Sequence, residues 1–348
     1  MPEPRPRQDQ PFQLVPVADS ALKNALLSAL RKPLSKMLRL ETLNTMYARA
    51  HVPQVSPSGA PEGLPEGSPE DDAAPARNAA PGAAFLDRAL AELRVGADVA
   101  ASELRNVPAT GPLVVVSNHP FGVVEGLVLA KLLLAIRPDI KILANHLLSA
   151  IPEMRPLLIE IDAFGGQGSK TRNMAGLRAA LSWLKKGGAI VAFPAGEVSS
   201  LALKKRMVAD PPWQRGVAAL VRKAGAPALP VFFEGRNGAL FQAAGLVHPR
   251  LRTLLLPREN LEQCGHSLRL SIGAVITPEK LAAIGSDEEA SAYLRFRCHI
   301  LRSRGRATRR EPGFMPPVPK STCPPRERTP NAWGFPWRTR WSAWRACS

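Results

Sequence analysis

Residues able to move a proton stand together in the run Ser117-Asn118-His119-Pro120-Phe121-Gly122-Val123-Val124-Glu125-Gly126. An imidazole takes and returns a proton near neutral pH, and a nearby carboxylate stabilises the imidazolium that forms when it does. His119 and Glu125 therefore read as a dyad for activating a hydroxyl or an amine. Asn118, just before the pair, and Gly122, within it, are candidate substrate contacts. His146, beside Asn145, has no following acid at comparable spacing and reads as a polar loop or core histidine.

The elements that must position this dyad follow from the apolar pattern. Leu113 to Val116, Ile140 to Ala144, Leu158 to Ile161, Ala189 to Phe193, Ala228 to Phe233 and Leu268 to Ile272 are short apolar runs bounded by Gly, Pro or charge, as buried strands are. Gly126 to Ala135, Thr171 to Lys186 and Trp213 to Ala224 have helical spacing between them. Such alternation predicts an α/β fold, a mainly parallel sheet flanked by helices, with chemistry at the strand C-terminal ends. The first strand delivers Asn118 and His119 to such an end. Pro120 biases His119 away from helical geometry, so a helix is expected after it, with Glu125 in the first turn.

Other strand ends carry further candidates. Gly196 and Glu197 close the Ala189 to Phe193 run, Glu197 serving either as a site acid or as a cap. Ser199 and Ser200 read as hydrogen-bond donors, because no Gly-x-Ser-x-Gly elbow surrounds them to make a nucleophile. Arg236 follows the Ala228 to Phe233 run and reads as a ligand-binding cation or as an ion-pair partner of Glu234. Gly165, Gly166 and Gly168, with Lys170 and Arg172 after them, suit either close backbone approach to a ligand or a plain turn.

The chain has 348 residues, 45% of them hydrophobic, and a net charge of +17. That basicity calls for an acidic partner, nucleic acid or an anionic membrane surface. Its distribution is uneven: Arg302 to Ser348 holds eleven Lys/Arg and two Asp/Glu, so nine of the seventeen charges lie there. From Ser303 onward eight prolines and four of the six tryptophans, without periodicity, predict a disordered basic tail that binds membrane or nucleic acid, or a C-terminus altered by a frameshift. Residues 1–50 hold a polar start followed by amphipathic helices, with Leu22, Leu26, Leu30, Leu34 and Leu38 three or four apart among basic residues. They read as an interfacial segment or as core-packing helices with a solvated basic face. Residues 51–82, rich in Pro, Gly and Ser, are expected to be a flexible linker, and 83–302 the folded domain. Cys264, Cys298, Cys323 and Cys347 show neither metal-ligand spacing nor a disulfide framework, which points to a reducing cytosol. No run of about eighteen apolar residues is present, so membrane contact is expected to be peripheral.

With these segments in view, the chain resembles the glycerolipid acyltransferases of the lysophosphatidic acid acyltransferase family. Asn118-His119 with Glu125, and Phe193-Pro194-Ala195-Gly196-Glu197-Val198-Ser199, are similar to that family's first and third motifs in order and separation. The resemblance implies His119 as the general base for acyl transfer from a thioester to a hydroxyl, Glu125 as its partner, and Phe193, Pro194, Gly196, Glu197, Ser199 and Arg236 as substrate contacts. Two departures stand out. The family separates its His from an Asp by four residues, whereas five residues separate His119 from a Glu here. Its third motif reads Phe-Pro-Glu-Gly-Thr-Arg, with the Glu and Arg associated with the acceptor's glycerol phosphate, and this chain has Ala195 and Val198 at those positions.

Together with Pro230-Val231-Phe232-Phe233-Glu234-Gly235-Arg236-Asn237, these segments resemble more closely the branch labelled hemolysin, which includes acyltransferases that O-acylate lyso-ornithine lipid. The resemblance implies a lyso-lipid acceptor, either lyso-ornithine lipid or lysophosphatidic acid, with acyl-CoA or acyl carrier protein as donor and no metal or bound cofactor. It implies peripheral work at the cytoplasmic face of a membrane. The other class that the charge admits is non-enzymatic binding of nucleic acid or membrane through the tail. The paired base and acid at a strand end favour the enzyme, and nucleic acid is the less favoured partner.

Overall fold

The computed structural model describes residues 32–51, 74–161, 169–203 and 206–304. Its centre is a seven-stranded sheet in the order β1-β9-β8-β2-β5-β3-β4. The strands are β1 (Gly96–Asp98), β2 (Leu113–Ser117), β3 (Ile140–Ala144), β4 (Leu158–Glu160), β5 (Ala189–Ala192), β8 (Ala228–Phe233) and β9 (Ser267–Ile272), while β6 (Ser200–Ala202) and β7 (Met207–Ala209) form a separate antiparallel hairpin. From β8 to β4 all neighbours pair in parallel, and β9 joins β8 antiparallel with β1 parallel to it.

The apolar runs are explained by burial on both faces. Along β2, Leu113 and Val115 enter one core, with helices Ala74–Leu93 and Val124–Leu134. Val114 and Val116 enter the other, with helices Ser169–Lys185, Arg215–Ala224 and Asp287–His299. The central strands β2, β5 and β8 thus have no solvent face on which polar residues could alternate, whereas β9, nearer the edge, exposes Ser267 and Arg269 in alternation with buried leucines. The result is three layers, helices on both sides of a mostly parallel sheet. Among the described residues no helix is long and apolar enough to cross a membrane.

The linker expected over 51–82 is corrected at its end, because residues 74–82 already belong to helix Ala74–Leu93. Pro and Gly in that stretch suggest a loop, yet Ala is the strongest helix former and Ala-rich sequence surrounds them. Gly82 also has a packing reason: a Cβ there would lie 2.7 Å from Leu157 Cδ1. Residues 40–50 of the expected N-terminal amphipathic segment form a helix that buries Leu40, Tyr47 and Ala50. The rest of the linker, the segment before residue 32 and the tail after residue 304 lie outside the described residues.

Because β2 is flanked in parallel by β5 and β8, the loops leaving the C-terminal ends of all three strands are neighbours. Those loops carry Asn118-His119, Phe193 to Ser199, and Glu234 to Asn237.

Candidate active site

At the end of β2, Asn118 continues the ladder with its side chain. Its Nδ2 donates to Phe233 O at 2.9 Å, and its Oδ1 accepts from Phe233 N at 2.7 Å. Both ends of the amide are used to lash the histidine loop to β8. The chain then turns through Pro120 to Gly122, and the helix begins at Val124. Gly122 has φ +115°, and a Cβ there would sit 2.8 Å from Leu256 Cδ2, so both conformation and space demand glycine.

Glu125 is wholly buried. Its Oε1 accepts the backbone N–H groups of Phe121 at 2.9 Å and Gly122 at 2.8 Å, in the manner of a helix-start acid reaching back. The same oxygen lies 3.0 Å from His119 Nδ1, an ion-pair distance without hydrogen-bond alignment. Burial alone would raise the Glu125 pKa. The imidazole and the two N–H donors outweigh it and hold the carboxyl below its ordinary value. A glutamate with one extra intervening residue thus reaches the imidazole. With Nδ1 turned to Glu125, Nε2 is left for a substrate proton. The imidazole also lies against the Phe193 ring, with centroids 4.5 Å apart.

Behind His119 stands an acid that the sequence reading overlooked. Asp210 is buried; its Oδ1 accepts the Ser199 hydroxyl and, at 3.3 Å, the His119 backbone N–H, while Oδ2 accepts Trp213 Nε1 at 3.0 Å. Ser199 N–H donates to His119 O at 2.8 Å, which joins the loops after β2 and β5 directly. Ser199 is therefore turned inward toward Asp210 rather than toward a ligand.

A cavity of about 230 Å³ lies against the dyad. His119, Gly122, Phe193, Gly196 and Glu197 line it, and most of the remaining wall is apolar, including Leu127, Ile142, Leu148, Met154 and Leu256. Its charged part is Glu197 and Arg252, which form an ion pair. Arg252 comes from helix Pro249–Glu262, a segment in which no motif drew attention to it.

The expected contacts separate into two groups. Phe193, Gly196, Glu197 and Gly122 meet at the cavity with His119. Asn118, Pro194 and Ser199 lie behind it: the Pro194 carbonyl accepts Gln214 N–H at 2.8 Å. The Gly196 N–H donates to Phe193 O at 3.0 Å, closing a turn. Arg236 is exposed and is not part of the cavity wall, and Glu234 lies 3.7 Å from Arg269. Gly165, Gly166 and Gly168 lie outside the described residues.

No curated protein matches the chain. Among solved structures, the 1-acyl-sn-glycerophosphate (LPA) acyltransferase PlsC from Thermotoga maritima is similar with a TM-score of 0.42 and 18% identity, over 65% of this chain and 79% of that one. A family model described as acyltransferase matches residues 83–307, which contain the dyad, the cavity and the whole sheet. With well over half of the chain matched in this way, the protein belongs to the acyltransferase family and is an enzyme.

Proposed function

We propose that this acyltransferase moves a fatty acyl group from a thioester donor, acyl-CoA or acyl carrier protein, to the hydroxyl of a lyso-lipid. The observation that carries the reading is a buried carboxylate paired with an imidazole at the wall of an apolar cavity. His119 Nε2 takes the acceptor's hydroxyl proton as that oxygen attacks the thioester carbonyl. A carbon–oxygen bond forms, the tetrahedral adduct collapses with cleavage of the carbon–sulfur bond, and the imidazolium returns its proton to the leaving thiolate. Glu125 stabilises the imidazolium between these steps. The apolar wall suits the acyl chain. The reading calls for no metal or bound cofactor.

The acceptor reading is a lyso-ornithine type lipid. Ala195 and Val198 are buried and uncharged where the resembled motif carries an acid and an arginine. The cavity wall instead pairs Glu197 with Arg252, one charge of each sign, which suits a head group bearing both an ammonium and a carboxylate. Such an acceptor resides in a bilayer, so the reading includes peripheral work at the cytoplasmic membrane face.

The test is a panel of lyso-lipid acceptors with long-chain acyl-CoA, run on the parent and on His119→Ala. Transfer to lyso-ornithine lipid that the substitution abolishes is expected. Transfer continuing at the parent rate in His119→Ala refutes the dyad, and a parent that prefers lysophosphatidic acid refutes the acceptor assignment.

A further inference from the structure

The exposed apolar side chains of this protein are gathered rather than scattered. Among the described residues eleven large hydrophobic side chains are exposed. Three of them lie elsewhere, Met174 and Phe296 on other helices and Ile300 just after the end of helix Asp287–His299, and the remaining eight sit on three adjoining pieces. Met37 is in helical residues 32–38, Leu203 and Met207 flank the tip of the β6–β7 hairpin, and five more are carried by the pair of helices Ala239–Val247 and Pro249–Glu262. Val247, 78% exposed, is the extreme case. Single exposed apolar residues are ordinary on any protein, but a gathering of this size marks a surface that is covered in use.

The three pieces are joined underneath. Leu38, Val198, Phe241 and Leu255 form one buried cluster, and Leu201 N–H donates to Gln242 Oε1 at 2.8 Å. The same helix pair supplies Phe241, Arg252 and Leu256 to the wall of the His119 cavity. The charge around the apolar residues is mainly positive, with Glu41, exposed four residues beyond Met37, as an acid near its edge. Lys32 and Lys36 stand exposed beside Met37, and Arg206 is exposed beside Met207. Both acids of the helix pair are engaged: Glu259 accepts Gly238 N–H, and Glu262 lies 3.8 Å from Arg39.

We propose that this face docks on an anionic lipid bilayer, its apolar side chains entering the interface and its cations meeting the headgroups. Apolar residues bordered by cations, on helices too short to span, match a charged bilayer better than they match a protein groove. The purpose of docking rests on the acyl-transfer reading: it holds the helices that wall the His119 cavity against the membrane that contains the acceptor. The binding itself is measured independently of that reading.

The experiment uses the full chain and sedimentation with vesicles of phosphatidylcholine alone or mixed with phosphatidylglycerol. Val247→Glu/Leu254→Glu is compared with Phe296→Glu/Ile300→Glu, which places the same charges at exposed positions on and just after helix Asp287–His299. The first is expected to weaken partitioning onto the mixed vesicles by about tenfold or more, and the second to leave it within about twofold. Leu203→Ser/Met207→Ser, on the hairpin, repeats the test should the helix variant fail to fold. Unchanged partitioning in folded variants of this face overturns the proposal, as does equal binding of the parent to both vesicle types. A parent that self-associates through this face, with dimerisation lost in the variant and vesicle binding kept, overturns it in favour of a second copy as occupant. Vesicle binding through this face without acyl transfer to any acceptor leaves docking intact and defeats the proposed function instead.

Discussion

Replacing Glu125 with Gln separates the charge of this side chain from its shape. The amide oxygen can still accept the Phe121 and Gly122 N–H groups at 2.9 and 2.8 Å, so the loop retains its local support. What disappears is the carboxylate 3.0 Å from His119 Nδ1. At an effective dielectric near 20, opposite unit charges at that separation attract by about 5 kcal/mol, an upper bound. Because the pair lacks hydrogen-bond alignment, the scale of one hydrogen bond to a charged group, about 1.5–3 kcal/mol, sets the lower figure. With tenfold in rate for each 1.4 kcal/mol, kcat/KM should fall between about tenfold and a few thousandfold, centred near a hundredfold. Thiol release from acyl-CoA in the presence of a lyso-lipid acceptor reads this directly, and a thermal scan shows whether the variant is folded. Glu125→Asp should also be impaired, because a side chain one methylene shorter cannot keep both the backbone donors and the imidazole. A folded Glu125→Gln enzyme with kcat/KM within about threefold of the parent would refute the electrostatic role.

Three further outcomes are expected. Asp210→Ala leaves the His119 N–H and Trp213 Nε1 without their acceptor and the Ser199 hydroxyl with only His119 O, 3.2 Å away; urea denaturation should show a loss of about 3 kcal/mol, and kcat/KM should fall with it. Ala144→Phe projects a ring into the cavity of about 230 Å³ and should lower kcat/KM for a long-chain donor at least about tenfold more than for a short-chain one, measured by paired donor assays. His299 is pushed below its ordinary value of 6.5, chiefly by burial against Trp213 and Phe232, although Asp210 opposes the shift. The unfolded chain then binds this proton first as pH falls. His299 therefore makes folding stability decline below pH 6.5, by at most about 1.4 kcal/mol per pH unit, and His299→Phe should flatten that part of a urea-denaturation series between pH 7.5 and 5.5.

Much of the fold was legible because the central strands are buried on both faces. β3 and β8 have the boundaries their apolar runs indicate, and β2, β4, β5 and β9 differ by one residue at an end. The helices of residues 239–262 and 287–299 were not legible in the same way. Their partial exposure, Pro257 inside one and charged residues throughout the other dilute the periodicity that marks a helix. Pro and Gly near residue 80 suggested a loop, yet the alanine-rich stretch forms a helix there, with Gly82 giving room to Leu157.

The dyad belongs to what sequence alone determines, because its geometry is local. His119 and Glu125 are joined across one turn, set by Pro120, by the positive φ of Gly122 and by a helix that can start only after them. The rest of the site depends on which strands lie side by side. Asn118 meets Phe233 across 115 residues and His119 meets Asp210 across 91, contacts that no local pattern records. The Glu197–Arg252 pair, the apolar cavity and the exposed apolar face likewise exist only once β5, β8 and the helices after β8 have packed around β2. Periodicity and turn chemistry act between near neighbours in the chain, whereas a cavity wall is made by sheet order and register, which tertiary packing decides.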